Sequence, residues 1–263
     1  MNQKKFLLFY SVLFTFLMYS CANEKGKTGQ NAETGYDEQF INKSKNKTLL
    51  IIADDRSGST GDIRKMNAND YADIFKAYAE KHYGQIAVRV IGNPAPQDKQ
   101  LYLLEIKNYL PYQKIPAKEK MSIKAKIRNK NKEIAQQNLI IDRENQQKID
   151  EYVQTVIKPH IIAYKPYKNR DITNVEDAFA HIDKKISEPT FDNYDNIQVV
   201  IISDGIHDAT RVKKPLKLNP TKHNDKIQVF LIGWKDTKPF KDIKNVSEFE
   251  SIESFKSYYK QNQ

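Results

Sequence analysis

One cysteine, Cys21, stands among 263 residues, so no intramolecular disulfide can form and a multi-cysteine zinc site or iron–sulfur cluster is excluded. No repeat of fixed period is present. The apolar run from Phe6 to Tyr19 falls short of the ~20 residues a membrane-spanning helix needs. What the chain does contain argues against disorder. Hydrophobic residues make up 39%, with 15 Tyr and 12 Phe, although the mean hydropathy is −0.71. A chain of this length can bury a core of one sizeable α/β domain or two small ones.

The position of the cysteine explains it. Lys4 and Lys5 precede the apolar run, which stops at Ser20-Cys21-Ala22, the layout of a secretory signal. A small residue before a lone cysteine resembles the lipobox of bacterial lipoproteins. That resemblance implies cleavage after residue 20 and a diacylglycerol on Cys21, and hence a protein of the cell envelope, held at the outer membrane on its periplasmic or surface side. An ordinary signal peptide that happens to contain a cysteine is the alternative. Loss of Lys4 and Lys5 would bring the formal charge from +10 to about +8. An exported protein of that charge meets anionic lipid and glycans before nucleic acid, so no nucleic-acid partner is expected.

Residues 21–46 are poor in apolar side chains and read as a tether, and the pattern changes at residue 47. Leu49–Ala53, Ile86–Ile91, Ile197–Ile202 and Ile227–Ile232 are continuous apolar runs, as strands buried on both faces of a parallel sheet are. Leu101–Ile106 is a further strand. The connection before it, about nine residues, is too short for a parallel crossover, so this strand is expected to run antiparallel at the sheet edge. Helical spacing covers 70–83, ended by Gly84, then a long insertion at 117–158 ended by Pro159, then 174–186 and a closing helix from Phe249 to Tyr259. A sixth strand has only a weak candidate, around 240–246. Alternating strands and helices predict a three-layer α/β sandwich over 47–260, with a doubly wound, mostly parallel sheet.

Ligands of such sheets bind beyond the carboxyl ends of the strands. Three polar segments belong there. The first strand ends in Asp55-x-Ser57-x-Ser59, the segment Asp171-Ile-Thr173-Asn174 puts a hydroxyl before a helix, and a later strand ends in Ser203-Asp204-Gly205. Carboxylates and hydroxyls without His or Cys are hard ligands, suited to Mg²⁺, Mn²⁺ or Ca²⁺ rather than zinc. Thr173 has a second reading, as the cap of the helix that follows it.

In this order the set resembles the von Willebrand factor A domain with its metal-ion-dependent adhesion site. The resemblance implies a Rossmann-like fold. It also implies that Ser57, Ser59 and Thr173 touch the metal directly or through water while Asp55 and Asp204 act mostly through water. One coordination position would stay open for a carboxylate of a protein partner. The expectation is therefore a lipid-anchored binding protein without catalysis of its own. The alternative is a metal-dependent envelope phosphohydrolase using the same residues. A serine hydrolase is disfavoured because Ser59 lacks the G-x-S-x-G setting and His207 is not clearly placed as a base. Asp54-Asp55 with Lys235 also resembles the acidic site of receiver domains, but the spacing does not fit. Lys114 to Lys132 holds eight cations against Glu119 alone, a band that is either a solvated helix face or a contact for anionic headgroups.

Overall fold

The computed structural model describes residues 45–58, 64–206, 217–218, 225–234 and 237–262. The signal-like segment 1–20, Cys21 and nearly all of the tether lie outside the described residues, as do Ser59, His207 and Lys235.

The apolar runs form one sheet. β1 (Asn46–Asp55) is flanked by β2 (His82–Ile91) and β4 (Asn196–Ile202), both parallel to it. β5 (Ile227–Ile232) and β6 (Asn245–Phe249) extend the sheet in parallel, and β3 (Tyr102–Ile106) pairs antiparallel with β2, giving the order β3-β2-β1-β4-β5-β6. The mostly parallel, doubly wound α/β architecture read from the sequence is the one the chain adopts, including the antiparallel edge strand.

Successive residues of a strand face opposite sides, and here both sides are covered. Leu50, Ile52, Val88, Val200 and Phe230 pack with α1 (Ala68–Lys81), α4 (Ile252–Asn262) and the end of α2 (Met121–Tyr152). Leu49, Ile51, Ala53, Val199 and Leu231 pack with α3 (Val175–Ile186) and with Phe191, Trp234 and Phe240. β1 leads through α1 to β2 on one side, whereas β4 is entered from α3 on the other. The chain therefore changes direction between the carboxyl ends of β1 and β4, the place where such sheets open a crevice.

Several boundaries differ from the sequence reading. Gly84 does not end a helix: β2 begins at His82, and Gly84 lies within the strand at φ +115°, where a Cβ would meet Thr48 O at 2.8 Å and the Tyr194 ring at 2.9 Å. α2 starts at Met121 instead of 117. Pro159 does not stop it; the helix passes into a π-helical turn over Val153–Ile162 with Pro159 inside, the wider turn easing the clash its ring would make in an α-helix. The sixth strand sits at 245–249, so Phe249 ends β6 and the last helix begins at Ile252.

The insertion is an arm held by an asparagine ladder. Asn131, Asn138 and Asn145 are buried, and each grips one residue of the extended segment that follows β3 through that residue's N–H and C=O. Asn145 takes Lys107 (3.0 and 3.0 Å), Asn138 takes Leu110 (2.8 and 3.0 Å) and Asn131 takes Gln113 (2.8 and 2.9 Å). Seven helical residues rise about 10.5 Å, close to the ~10 Å spanned by three residues of extended chain. That match of periods is why a heptad of Asn meets every third backbone unit.

At the entry to α1, Asn67 and Asp70 form a reciprocal capping box: Asn67 Oδ1 accepts from the Asp70 N–H at 3.1 Å, and Asp70 Oδ2 accepts from the Asn67 N–H at 2.9 Å. Burial alone would raise the Asp70 carboxyl, but Arg64 at 2.7 Å, the cap amide and Lys256 of α4 at 3.0 Å outweigh it and hold it down at about 2. A carboxyl lowered by folding contributes stability that is full above the unfolded pKa near 4 and is lost as pH falls through the folded value. Asp70→Asn should therefore cost about 1.5–3 kcal/mol at neutral pH. The gap between variant and wild type should close between about pH 4 and 2, measured by urea denaturation at each pH.

Candidate metal centre

β1 ends with two aspartates, and alternation sends them to opposite faces of the sheet. Asp54 turns toward α1, where it accepts from the Tyr71 hydroxyl and pairs with Arg56 at 2.6 Å. It is neutralised inside the protein. Asp55 turns toward α3 and is held by hydroxyls and an amide. Its Oδ1 accepts from the Ser57 N–H at 2.9 Å and the Ser57 hydroxyl at 2.6 Å, and its Oδ2 accepts from the Ser203 hydroxyl at 2.7 Å. Burial, with the like charge of Asp204 adding to it, raises the Asp55 carboxyl above the usual carboxylate range, and the Ser57 and Ser203 bonds only partly offset this.

The third segment arrives through α3. Arg89 of β2, 1% exposed, donates to the Asp177 carboxylate at 2.9 Å and to its carbonyl at 3.3 Å, pinning the first turn of α3 against the sheet. The Asn93 side chain donates to the carbonyls of Tyr167 (3.0 Å) and Arg170 (3.1 Å), which fixes the approach to that helix. Asn174 caps α3, accepting from the Asp177 N–H at 3.0 Å. The capping role that the sequence left open for Thr173 thus belongs to its neighbour. Thr173 is buried, and its hydroxyl donates to Ser57 Oγ at 2.7 Å across 116 positions of sequence.

The structure thus brings Asp55, Ser57 and Thr173 together, and Asp204 borders them. Asp204 accepts from the Ile206 N–H at 3.0 Å in a turn where Gly205 has φ +80° and packs so closely that a Cβ would lie 2.9 Å from the Trp234 ring. Ser59, the fifth predicted member, lies outside the described residues. Two members lie in the polar segments read from the sequence but are given no role there. Ser203 is one; it follows Ile202, which pairs with Asp54, so the parallel register sets it beside Asp55. Asp171 is the other: its carboxylate accepts from the Gly58 N–H at 2.8 Å, and a Cβ on Gly58 would come within 2.5 Å of it. Lys65 closes the loop from below by donating to the carbonyls of Arg56 (3.1 Å) and Ser57 (2.8 Å).

Chemically this is a cradle of oxygen donors around a buried carboxylate that, among the described residues, pairs with no guanidinium. Such a donor set fits a hard divalent cation. Among the described residues no group of three or more His, Cys, Asp and Glu side chains could hold a metal ion, and half of this cradle is hydroxyl. Among the described residues a pocket lies elsewhere, lined by Asp195, Lys226, Lys244 and Ser247 at the amino ends of β4–β6.

Ser203→Ala removes the donor to Asp55 Oδ2 while leaving the carboxylate buried. We expect a loss of about 1–3 kcal/mol in unfolding free energy, read as a lower denaturation midpoint with an unchanged m-value.

No protein-family model matches the sequence, and no curated protein matches it. Among solved structures the chain is similar to proximal thread matrix protein 1 from the mussel byssus. One crystal form gives 13% identity, 82% coverage of this chain, 47% of that chain and a TM-score of 0.39. A second structure of the same matrix protein, with a zinc-occupied MIDAS motif, gives 10% identity, 82% and 44% coverage and a TM-score of 0.35. The chain spans less than half the length of these mussel proteins.

Proposed function

We propose that the chain is a cell-envelope binding protein of the von Willebrand factor A type. In this reading its strand-end site holds a divalent cation, and a carboxylate of a protein partner completes the ion's coordination. The observation that carries it is the contact of Thr173 with Ser57 over Asp55, three residues the sequence pattern assigns to one metal site. The Ser57 and Thr173 hydroxyls would hold the ion, with Ser59 from the same motif. Asp55 and Asp204 would balance its charge. Mg²⁺, Mn²⁺ and Ca²⁺ are the candidates, since the donors are all oxygen. Bound there, the ion supplies a fixed positive charge with an exchangeable position, which suits capture of a Glu or Asp side chain. Lipid attachment at Cys21, at the outer membrane, belongs to the same proposal and rests on the sequence of residues 4–22.

The reading includes no turnover. The side chains supporting the site are spent on holding Asp55 and the loops: Ser203 on the carboxylate, Lys65 on two carbonyls, Arg89 on α3.

The test is the thermal midpoint with and without Mg²⁺, Mn²⁺ or Ca²⁺, for the wild type and for Asp55→Ala and Thr173→Ala. At a hundredfold excess over Kd, a ligand bound to the folded state adds about 2.7 kcal/mol. The wild-type midpoint should rise accordingly, and each variant should show no metal-dependent rise whatever its own starting midpoint. An indifferent wild type would remove the metal-site reading. Metal-dependent hydrolysis of p-nitrophenyl phosphate, lost in Asp55→Ala, would replace it with the phosphohydrolase reading.

A further inference from the structure

The arm formed by α2 and the extended segment after β3 has no role in the metal centre, and its construction is unusual. No residue from 107 to 130 is buried. The arm is held by the Asn131, Asn138 and Asn145 ladder, which grips backbone, with the Lys107–Glu144 pair at 2.6 Å and the Tyr109 hydroxyl on Asp142 beside it. Only the far end of α2 joins the core, through Ile149 and Tyr152. The other end, around the turn that leads into α2, is fully served by neither core nor ladder.

That end concentrates one kind of charge. Lys114, Lys118, Lys120, Lys124, Lys126, Arg128, Lys130 and Lys132 stand against Glu119 in the same stretch, and Lys130 pairs with Glu133 at 2.9 Å. Among these cations two aliphatic side chains are exposed at the start of α2, Met121 at 57% and Ile123 at 40%. Exposed aliphatic side chains also occur farther along α2, at Leu139 (59%) and Ile140 (54%), but only at the tip do they stand among a block of cations. A surface that lies on anionic headgroups needs both features, since cations meet the lipid phosphates while aliphatic groups enter the acyl boundary. A single-stranded nucleic acid is the poorer fit. Its binders stack bases on aromatic rings, and the chain has no aromatic residue from 113 to 151.

We propose that the tip of this arm, residues 114–132, is a contact surface for an anionic lipid bilayer. The inference is independent of the metal site and of modification at Cys21.

The test places a reporter at the tip of the full chain. In Met121→Trp the added indole sits among the lysines, while Trp234 is buried at 4% exposure and gives a constant background. Fluorescence emission is followed on adding phosphatidylcholine vesicles with or without phosphatidylglycerol. The expected result is a blue shift with the phosphatidylglycerol vesicles only, reversed by molar salt. The same reporter carrying Lys118→Gln, Lys120→Gln, Lys124→Gln and Lys126→Gln should need about tenfold more lipid or greater. Because the reporter senses the tip, attachment through the amino-terminal apolar run does not mimic the signal. No shift with either vesicle would overturn the proposal, as would an equal shift with both. A salt-sensitive shift with poly(U) and none with vesicles would reassign the surface to nucleic acid.

Discussion

A buried carboxylate that pairs with no guanidinium among the described residues organises this molecule. Asp55 sits at the end of the central strand and takes three donors: an amide and a hydroxyl from Ser57 and a hydroxyl from Ser203. Those bonds tie together β1, the loop after it and the end of β4. Burying such a group is unfavourable unless its charge is met by hydrogen bonds or a counterion. Its neighbour Asp54 shows the other solution, since on the opposite face Arg56 and Tyr71 meet its charge. The contrast between adjacent residues supports the cation site proposed at Asp55. The protein has balanced one aspartate internally and surrounded the other with hydroxyls and a second carboxylate, an environment in which a divalent cation is the natural counterion.

The scaffold explains why the remaining donors arrive in place. The change of direction between β1 and β4 opens the crevice, and the buried Arg89, paired with the half-buried Asp177, fixes α3 at its edge. Asn174 serves as the cap of α3, and the Thr173 hydroxyl before it meets Ser57. Gly58 and Gly205 mark places where the loops of the site come close to a neighbour, the Asp171 carboxylate and the Trp234 ring.

Much of this was legible in the sequence. Strands buried on both faces announced themselves as unbroken runs of Ile, Val and Leu, and a nine-residue connection already dictated an antiparallel β3. The motif residues Asp55, Ser57, Thr173 and Asp204 could be placed by their position at strand and helix ends. Other features depend on packing between distant segments. Ser203 and Asp171 join the site through strand register and a loop contact that no local pattern encodes. Gly84 looked like a helix stop because glycine often is one, yet its role is to let the Thr48 carbonyl and the Tyr194 ring approach β2. The Asn ladder was hidden for a related reason. Asparagines seven apart on a polar helix read as solvated until a strand's backbone is found beside them.

The arm and the metal centre are built on opposite principles. At the candidate site, hydroxyls and an amide gather around the buried Asp55; on the arm, an asparagine ladder grips backbone and no residue from 107 to 130 is buried. The central claim concerns the first of these, that Asp55 and its hydroxyls form a cation site with a position open to a carboxylate. Water-proton relaxation during titration with Mn²⁺ tests it most directly. The account predicts one strongly relaxing Mn²⁺ per chain, absent in Thr173→Ala, whose enhancement falls when a glutamate-bearing peptide displaces the ion's water. Free Mn²⁺ relaxation throughout the titration, in the folded wild type, would contradict it.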